Sequence, residues 1–309
     1  MLVEVKNMVK HYKDVVAVDN VSLAIEEGDI LGLLGPNGAG KTTTINAMIG
    51  LTRVDSGEIR IFGKNFKDCE MEIKRDLGIV PQDIAIFEDL TAYENLCYFG
   101  KLYGLKGSLM KERAEEALEF TGLIEKKKQY PKKFSGGMKR RLNIACAIVH
   151  HPKLIIMDEP TVGIDPQSRN HILQSIKQLN KSGSTIIYSS HYMEEVEELC
   201  TKIVILDNGR VIAKGSKDEL KEQVAIDERV VIELSSVNFT MVDNIKQVQG
   251  VKDSYVNGNE LTVIQNKNSK NLARLIDYVS ENSEILSLNV EKPSLETVFL
   301  ILTGRTLRD

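Results

Sequence analysis

Residues 35–43, "GPNGAGKTT", have the composition of a loop that holds phosphate groups. They match the pattern G-x-x-x-x-G-K-[ST], in which glycines let the backbone approach phosphate oxygens closely. Lys41 is expected to reach the terminal phosphates, and the Thr42 hydroxyl is expected to bind Mg²⁺. The loop follows the apolar run "DILGLLG" and precedes a helical pattern, which is the context that the motif requires. The sequence therefore predicts a nucleotide site.

Two carboxylates follow another apolar run, in "LIIMDEP". Asp158 and Glu159 would lie at the carboxyl end of a buried strand, where open α/β sheets bind their ligands. We expect Asp158 to hold Mg²⁺, directly or through water, and Glu159 to act as a general base on the water that attacks the phosphate. The alternative is an ordinary turn that carries two surface acids.

A second candidate anion site lies far along the chain, in "FSGGMKRRLNI" at residues 134–144. Ser135, Gly136 and Gly137 precede a helical pattern. A helix N-terminus has unpaired N–H groups and a partial positive charge, so it attracts anions. The pattern raises the question of why one domain would have two phosphate sites.

The apolar runs that carry these motifs alternate with helical stretches. The strand-like runs are "DILGLLG", "LGIV", "KLIIMD" and "STIIYSS". This alternation predicts a mainly parallel sheet that is covered on both faces. The stretch to Ile25 predicts an antiparallel sheet, and Asn208–Gly209 predicts a hairpin turn in "KIVILDNGRVIAKG". Between these, residues 91–150 are helical and begin with a capping box of Thr91 and Glu94.

The pattern changes from about residue 227, where predicted elements follow the order β-α-β-β-α-β. This order is typical of a ferredoxin-like domain. A last helix, "SLETVFLILTG", follows Pro293. We therefore expect a first domain over residues 1–222 and a small α+β accessory domain over residues 227–309, with a regulatory or dimerisation role.

Composition narrows the possible partners. The 309 residues have a net charge of −4 and a pI near 5.9, which argues against a nucleic-acid partner. The basic run at residues 126–133 is either a solvated surface or a face turned toward anionic lipid.

Four widely spaced cysteines without a CxxC pair fit a reducing compartment. The N-terminus has no signal-peptide pattern, and no apolar run approaches the roughly 18–20 residues of a membrane span. Action at a membrane would require a second, spanning chain.

In this order, the motifs of residues 1 to about 220 resemble those of the nucleotide-binding subunits of ABC transporters. The resemblance implies a P-loop NTPase cassette of the α/β class, with a mixed sheet core, an antiparallel β subdomain and a helical subdomain at about residues 91–150. It also implies ATP and Mg²⁺ as cofactors. The residues that it assigns to ATP in the phosphate loop are Gly35, Pro36, Asn37, Gly38, Ala39, Gly40, Lys41, Thr42 and Thr43.

Further roles come only from this resemblance. Tyr12 matches the aromatic residue that stacks on adenine. Gln82, in "IVPQD", matches the glutamine that senses Mg²⁺ and water and lies beside the membrane partner. His191, in "SSHYMEE", matches the histidine that contacts the γ-phosphate. Ordinary alternatives are a strand-end tyrosine at position 12 and a core-capping histidine at position 191.

The resemblance also answers the question of the two phosphate sites. Residues 134–138, "FSGGM", match the signature motif of the family, and Asp165 in "EPTVGIDP" matches the loop that crosses the dimer interface. In the family, two cassettes pack head to tail and sandwich ATP. Ser135, Gly136 and Gly137 would therefore contact ATP held by the partner cassette.

Three positions depart from the family pattern. Phe134 and Met138 replace the commoner Leu and Gln of the signature motif, and Lys13 stands where many relatives have Gly. The serine and both glycines of the signature remain, so we expect a working site.

The tail "PSLETVFLILTGRTLRD" and the run "SGGMKRRL" resemble subunits of ABC-2 type drug-resistance and antibiotic-export systems, including the daunorubicin and linearmycin resistance groups. This implies an ATPase that powers export of a drug, antibiotic or lipid-like compound through a separate permease, at the cytoplasmic face of the membrane. Because every motif looks competent, a homodimer is favoured over a heterodimer. The apolar residues after Gln82 would form either a socket for the permease or ordinary packing: Ile84, Ile86, Phe87 and Leu90.

Other functions stay open from the sequence. The cassette motifs match an importer equally well, and only the C-terminal part argues against that function. A soluble, non-transport ABC ATPase is the other alternative, although this chain has one cassette and neither a coiled-coil nor a CxxC insert. Intact Lys41, Asp158, Glu159 and His191 argue against a regulatory cassette that does not hydrolyse ATP.

Overall fold

The structure is a computed structural model that describes residues 1–224, 227–237, 239–266, 269, 271–291 and 294–303. Pro293 and residues 304–309, to which part of the tail motif belongs, lie outside this set. The chain divides into two compact units. The first spans Met1–Lys217, and the second begins at Asp218.

The first unit contains seventeen of the elements described here, in the following order. They are β1 Val3–Tyr12, β2 Val15–Ile25, β3 Ile30–Leu34, α1 Lys41–Met48, β4 Ser56–Ile61, β5 Lys64–Asn65, α2 Phe66–Lys74, β6 Leu77–Val80, α3 Ala92–Leu102, α4 Gly107–Phe120, α5 Gly136–Ile148, β7 Leu154–Asp158, α6 Pro166–Lys181, β8 Thr185–Ser190, α7 Met193–Leu199, β9 Lys202–Asp207 and β10 Arg210–Gly215. Two short 3-10 turns lie at Ile124–Lys126 and Pro131–Lys133, and helix α8, Lys217–Gln223, contains the division between the units.

The central sheet of this unit has the strand order β10-β9-β3-β8-β7-β6. Neighbours from β9 to β6 pair in parallel, and β10 adds an antiparallel edge. Every residue of β3, β7 and β8 is buried, as expected for strands covered on both faces. The sheet confirms the predicted mixed core.

Strand register brings the predicted site residues to one edge of that sheet. Leu34 of β3 pairs with Ser190 of β8, and Asp158 of β7 pairs with Ser189. Since parallel strands end at a common edge, the loops after β3, β7 and β8 meet there.

A second, antiparallel sheet has the order β2-β1-β4-β5. Its apolar residues share one core with helix α1 and the central sheet; examples are Met8, Ile25, Ile45, Met48 and Ile156. The predicted turn at Asn208–Gly209 also forms, with positive φ at both residues, as a type I′ hairpin requires.

Helices α3, α4 and α5 pack against one another as the helical subdomain. The predicted capping box forms at the start of α3. The Thr91 side chain accepts from the Glu94 backbone N–H, and the Glu94 carboxylate accepts from the Thr91 backbone N–H. Within α4, Ala114, Ala117 and Leu118 form the buried face.

The second unit contains β11 Glu228–Leu234, α9 Phe239–Lys246, β12 Val251–Asn257, β13 Glu260–Gln265, α10 Leu272–Asn282, β14 Ile285–Glu291 and α11 Leu295–Thr303. Its sheet has the order β12-β13-β11-β14, with every pair antiparallel. Side chains such as Val230, Ile232, Met241 and Leu275 form its core. The topology confirms the predicted ferredoxin-like order.

Within the described ranges, no helix is both long enough and apolar enough to cross a membrane.

Candidate functional site

A cavity of about 510 Å³ opens at the sheet edge where β3 and β7 end. It is lined by residues 37–43 of the phosphate loop together with Val15, Val16, Ala17, Gln82, Glu159 and Asn208. The structure therefore brings together three segments that are widely separated in sequence. These are the phosphate loop, the glutamine after β6 and the acid after β7.

Lys41 lies at the base of this cavity and is almost fully buried. Its Nζ donates to the carbonyl oxygens of Gly35, at 2.8 Å, and Pro36, at 3.1 Å. It also lies 3.1 Å from Oε1 of Glu159. A buried ammonium requires such partners, because leaving an unpaired charge in the interior is costly.

Two glycines of the loop have steric reasons to be glycine. Gly40 precedes α1 with φ of 97°, and a Cβ there would lie 2.6 Å from the carbonyl oxygen of Ala17. A Cβ on Gly35 would lie 2.4 Å from the carbonyl oxygen of Leu206. The loop can therefore turn sharply from β3 into the N-terminus of α1, where helix N–H groups favour an anion.

The two carboxylates after β7 are held by the neighbouring strand. Ser189 donates its hydroxyl to Oδ1 of Asp158 and accepts, at 2.9 Å, from the backbone N–H of Glu159. Glu159 has φ of 46°, a left-handed conformation that non-glycine residues rarely adopt. Asp158 and Glu159 are only 5% and 6% exposed, so neither is an ordinary surface acid.

His191 lies in contact with the catalytic candidate Glu159. Its Nδ1 is 3.4 Å from Glu159 Oε1. That nitrogen is buried and makes no hydrogen bond. The His191 ring also packs against Tyr192, with 4.2 Å between ring centroids. One carboxylate oxygen thus faces both Lys41 and His191.

The backbone around Gln82 is fixed by helix α5. The Arg140 guanidinium donates to the carbonyl oxygens of Pro81, at 2.7 Å, and Gln82, at 2.5 Å. Asn143 accepts from the backbone N–H of Ala85 at 3.3 Å. The pKa of Arg140 is lowered because its guanidinium is buried. These contacts were not predicted, because the sequence shows only a basic helix.

The residues that follow Gln82 are organised by a buried asparagine in α3. Asn95 accepts from the backbone N–H of Phe87 at 2.8 Å. Its amide nitrogen contacts the carbonyl oxygens of Phe87, Leu90 and Thr91 at 2.9–3.1 Å. This one side chain therefore determines the conformation of residues 87–91.

The signature residues form a separate site, and none of them lines the nucleotide cavity. Ser135 caps α5, accepting from the Met138 backbone N–H at 3.2 Å. Gly136 is exposed, and a Cβ placed on it would meet nothing within 4 Å. Gly137 is buried, and its Cβ would lie 2.2 Å from the Ser168 hydroxyl. The predicted second anion site therefore lies apart from the cavity that the phosphate loop lines.

Asp165 lies beside this signature site, at the start of α6. Its Oδ1 accepts from the Ser168 backbone N–H at 2.9 Å, which makes it the N-cap of the helix. The hydrogen bonds from Ser168 lower the pKa of the Asp165 carboxyl. The structure thus brings Asp165 close to Gly137 and leaves both outside the cavity lining.

Tyr12 lies outside the cavity lining as well. Its hydroxyl is 3.3 Å from that of Thr52, and its ring lies under Nζ of Lys10 at 5.3 Å. Among the apolar residues that do line the cavity, Val15 and Val16 are 64% and 44% exposed. Two adjacent exposed valines in "KDVVAV" were the available sequence signal for this surface, and it was missed.

The residues present fit a nucleoside triphosphate with Mg²⁺. Gly38, at φ of 80°, has nothing within 4 Å of a Cβ position, so the loop presents open backbone to the cavity. Thr42, Gln82 and Asp158 offer oxygen ligands, which Mg²⁺ prefers. In the described part of the chain, no cluster of three metal-binding side chains occurs.

The fold and the site define a nucleotide-binding domain of the P-loop type. Residues 18–162 match the model of the ABC transporter family, and residues 215–303 match the DrrA1-3-like ATP-binding protein C-terminal domain. The chain belongs to the ABC transporter family, as an ATP-binding subunit with this C-terminal domain, and it binds ATP as a transport ATPase. The resemblance seen in the sequence is confirmed.

Two related ATP-binding proteins and one solved structure show what this chain is similar to. The linearmycin resistance ATP-binding protein LnrL of Bacillus subtilis (strain 168) is 46% identical over 100% of both chains. The daunorubicin/doxorubicin resistance ATP-binding protein DrrA of Streptomyces peucetius is 33% identical, over 99% of this chain and 94% of the relative. A dimeric ATP-binding cassette in a post-hydrolysis state, bound to ADP and phosphate, is 30% identical with a TM-score of 0.64, over 70% of this chain and 98% of that one.

Proposed function

We propose that this chain hydrolyses ATP to power export of a drug, antibiotic or lipid-like compound through a separate membrane-spanning subunit. The proposal rests on the nucleotide site of a chain that is similar to a resistance ATP-binding protein along its full length. Lys41 and Glu159 line a single cavity and His191 lies against Glu159, in a chain that matches a linearmycin resistance ATP-binding protein along its whole length. The similarity includes the C-terminal domain, which was the part of the sequence that argued against an importer.

Hydrolysis depends on an exchange of partners at Lys41. Its ammonium pairs with the Glu159 carboxylate and donates to two loop carbonyl oxygens. When ATP enters, Lys41 binds phosphate oxygens, and Glu159 is released to accept the proton of the water that attacks the γ-phosphorus. His191, which lies against Glu159, would contact the γ-phosphate. When bound by Thr42, Gln82 and Asp158, Mg²⁺ neutralises charge on the phosphate oxygens.

Two copies of the cassette complete each site. Ser135 and Gly136 are exposed at the start of α5 and do not line the nucleotide cavity of their own chain. We infer that these residues and Gly137 contact ATP held by a second copy, with Asp165 at the interface. A homodimer is proposed because each motif of the site is intact in this chain.

Closure of the dimer would be transmitted through the segment after Gln82. Ile84 is 36% exposed and Phe87 is 43% exposed, while Ile86 and Leu90 are half-buried. Phe87 also packs against the exposed Tyr98, with 4.7 Å between ring centroids. An exposed apolar surface of this kind suits a helix of an ABC-2 type permease. The chain would then act at the cytoplasmic face of the membrane.

The two proposed functions correspond to the two domains that the sequence predicts. Residues 1–222 bind and hydrolyse ATP, and residues 227–309 form the accessory domain. An importer cassette and a soluble ABC ATPase remain the alternatives, and the experiment below separates them from export.

The test uses a strain in which the gene for this chain has been deleted. We expect higher sensitivity to one or more apolar antibiotics, unchanged nutrient uptake, rescue by the wild type and no rescue by Glu159→Gln. Lost uptake of a nutrient with unchanged antibiotic sensitivity would instead indicate an importer. No change in either phenotype, together with ATP hydrolysis by the purified chain, would favour the soluble ATPase.

A further inference from the structure

A buried carboxylate connects the loops that follow β7 and β8. Glu195, in α7, is 3% exposed. Its Oε2 accepts hydrogen bonds from the hydroxyls of Tyr188, at 2.6 Å, Thr161, at 2.9 Å, and Ser190, at 3.0 Å. Hydrogen bonds to an ionised acceptor are about twice as strong as neutral ones, so this cluster is well suited to fix the two loops.

The bond to Thr161 acts on the turn that contains Glu159. Val162 donates its backbone N–H to the Glu159 carbonyl oxygen at 3.3 Å, and Ile164 donates to the Thr161 carbonyl oxygen at 3.2 Å. Glu159 itself has φ of 46°. A non-glycine residue keeps such a conformation only when its surroundings hold it there. The Thr161–Glu195 bond anchors this turn two residues after Glu159.

The bond to Ser190 acts on both neighbours of His191. Ser190 donates its hydroxyl to Glu195 and accepts, at 2.9 Å, from the backbone N–H of Tyr192. The residues immediately before and after His191 are therefore tied to the same carboxylate. This arrangement limits the positions that the imidazole can take relative to Glu159.

The other oxygen of Glu195 faces helix α6. Its Oε1 lies 3.4 Å from Nε of Arg169, and neither atom makes a hydrogen bond. The Arg169 guanidinium lies over the Tyr192 ring at 4.8 Å. Because Asp165 is the N-cap of α6, the carboxylate also contacts the helix whose start lies beside the signature motif.

We propose that Glu195 is a positioning residue for ATP hydrolysis, which fixes the general base and the γ-phosphate histidine relative to each other. The inference rests on the proposed function. Glu195 does not line the nucleotide cavity, so it acts through Thr161 and Ser190 rather than by touching the substrate. Burial and the adjacent Glu195 carboxylate raise the pKa of Tyr188 well above its ordinary value, so its hydroxyl remains a donor.

The test is Glu195→Gln, which keeps the shape of the side chain and removes its charge. We expect kcat to fall about ten- to a hundredfold, since displacements near 1 Å cost about that much. ATP affinity should stay within about threefold of wild type, because the phosphate loop is untouched. Amide hydrogen exchange should accelerate in two segments together, residues 159–164 and 189–192.

Glu194→Gln is the matched control, since it removes the charge of the adjacent, exposed glutamate of α7. It should leave kcat and both exchange rates unchanged. Thr161→Val and Ser190→Ala each remove one donor and serve if Glu195→Gln folds poorly. Each should lower kcat and loosen mainly its own loop.

A kcat for Glu195→Gln within twofold of wild type would overturn the inference. So would a lower kcat without faster exchange in either segment. The exchange measurement does not depend on activity, so the two failures can be told apart. Absence of hydrolysis by the wild type overturns the proposed function and the inference with it, whereas equal exchange in the two proteins overturns the inference alone.

Discussion

Lys41 Nζ and Glu159 Oε1 lie 3.1 Å apart, and their side chains are only 4% and 7% exposed. The predicted phosphate-binding cation and the candidate general base therefore form a buried ion pair. In the proposed mechanism, ATP separates this pair when it binds. This relationship links the stability of the free cassette to its affinity for nucleotide.

Replacing Glu159 by Gln should change stability and affinity in opposite directions. The variant leaves the buried Lys41 ammonium without a charged partner, so we expect the free protein to lose on the order of 3 kcal/mol of unfolding free energy. ATP no longer competes with a carboxylate for Lys41, so its affinity should rise about tenfold or more, which corresponds to about 1.4 kcal/mol. Denaturant titration and equilibrium nucleotide binding measure the two effects.

Glu58→Gln supplies the control for that comparison. It removes the acid of a partly exposed pair with Arg60, which has a separation of 2.8 Å. Such pairs contribute about 0–1 kcal/mol, so little change is expected. Equal stability of Glu159→Gln and wild type would show that the buried pair does not stabilise the free cassette.

The two glycines of the signature motif should respond differently to alanine. A Cβ on Gly136 meets nothing within 4 Å, whereas one on Gly137 would lie 2.2 Å from the Ser168 hydroxyl. Gly136→Ala should therefore keep the thermal stability of the monomer and lose ATP-dependent dimerisation, because Gly136 would face the partner's phosphate. Gly137→Ala should be less stable by about 1–3 kcal/mol, because of overpacking. Normal dimerisation of Gly136→Ala would contradict the composite site.

Asn95→Ala should separate hydrolysis from transport. The variant removes the side chain that holds residues 87–91, and each buried group left unpaired costs about 1–3 kcal/mol. No cavity-lining residue changes, so ATPase activity of the purified chain should stay within about threefold of wild type. Antibiotic resistance in cells should fall. Asn170→Ala, at an exposed asparagine of α6, should behave as wild type, and full resistance of Asn95→Ala would exclude this coupling route.

His150 should make the fold sensitive to mild acid. Its ring stacks on Tyr103 with 3.5 Å between centroids, and its Nε2 lies 3.0 Å from the Leu77 carbonyl oxygen. Burial lowers the pKa of His150 from 6.5 to about 4. A lowered histidine pKa means that the folded state favours the neutral ring. Its contribution is present above pH 6.5 and is lost as the pH falls toward 4.

The comparison with His150→Gln isolates this contribution, because glutamine does not titrate and retains an N–H donor. Between pH 7 and pH 4, the wild type should lose up to about 3 kcal/mol more unfolding free energy than the variant. Denaturation midpoints at several pH values provide the measurement. Parallel pH profiles for the two proteins would rule out His150 as the source of acid sensitivity.

Sequence reasoning worked best where short segments determine structure. The phosphate loop, the Thr91–Glu94 capping box and the Asn208–Gly209 hairpin all depend on neighbours within a few positions, and each forms. The ferredoxin-like pattern of the C-terminal unit was also predicted from the order of its elements, because short connections and handedness leave few topologies.

Contacts between distant segments could not be predicted in the same way. Three such contacts depend on which strands become neighbours. They are the ion pair of Lys41 with Glu159, the hydrogen bond from Arg140 to the Gln82 carbonyl oxygen, and the hydroxyl groups around Glu195. A glutamate in an acidic helix such as "YMEEVEEL" gives no sign that one member of the series is buried. Only the packed sheet and helices distinguish Glu195 from Glu194.

We infer that the signature residues of one chain contact ATP that is held by a second chain. The most direct measurement is the mass of purified Glu159→Gln by sizing chromatography with light scattering, with and without ATP and Mg²⁺, beside a Lys41→Ala control. We expect Glu159→Gln to shift from monomer to dimer only with ATP, and Lys41→Ala to stay monomeric. A Glu159→Gln protein that binds ATP with measured affinity yet remains a monomer at every concentration would contradict the claim.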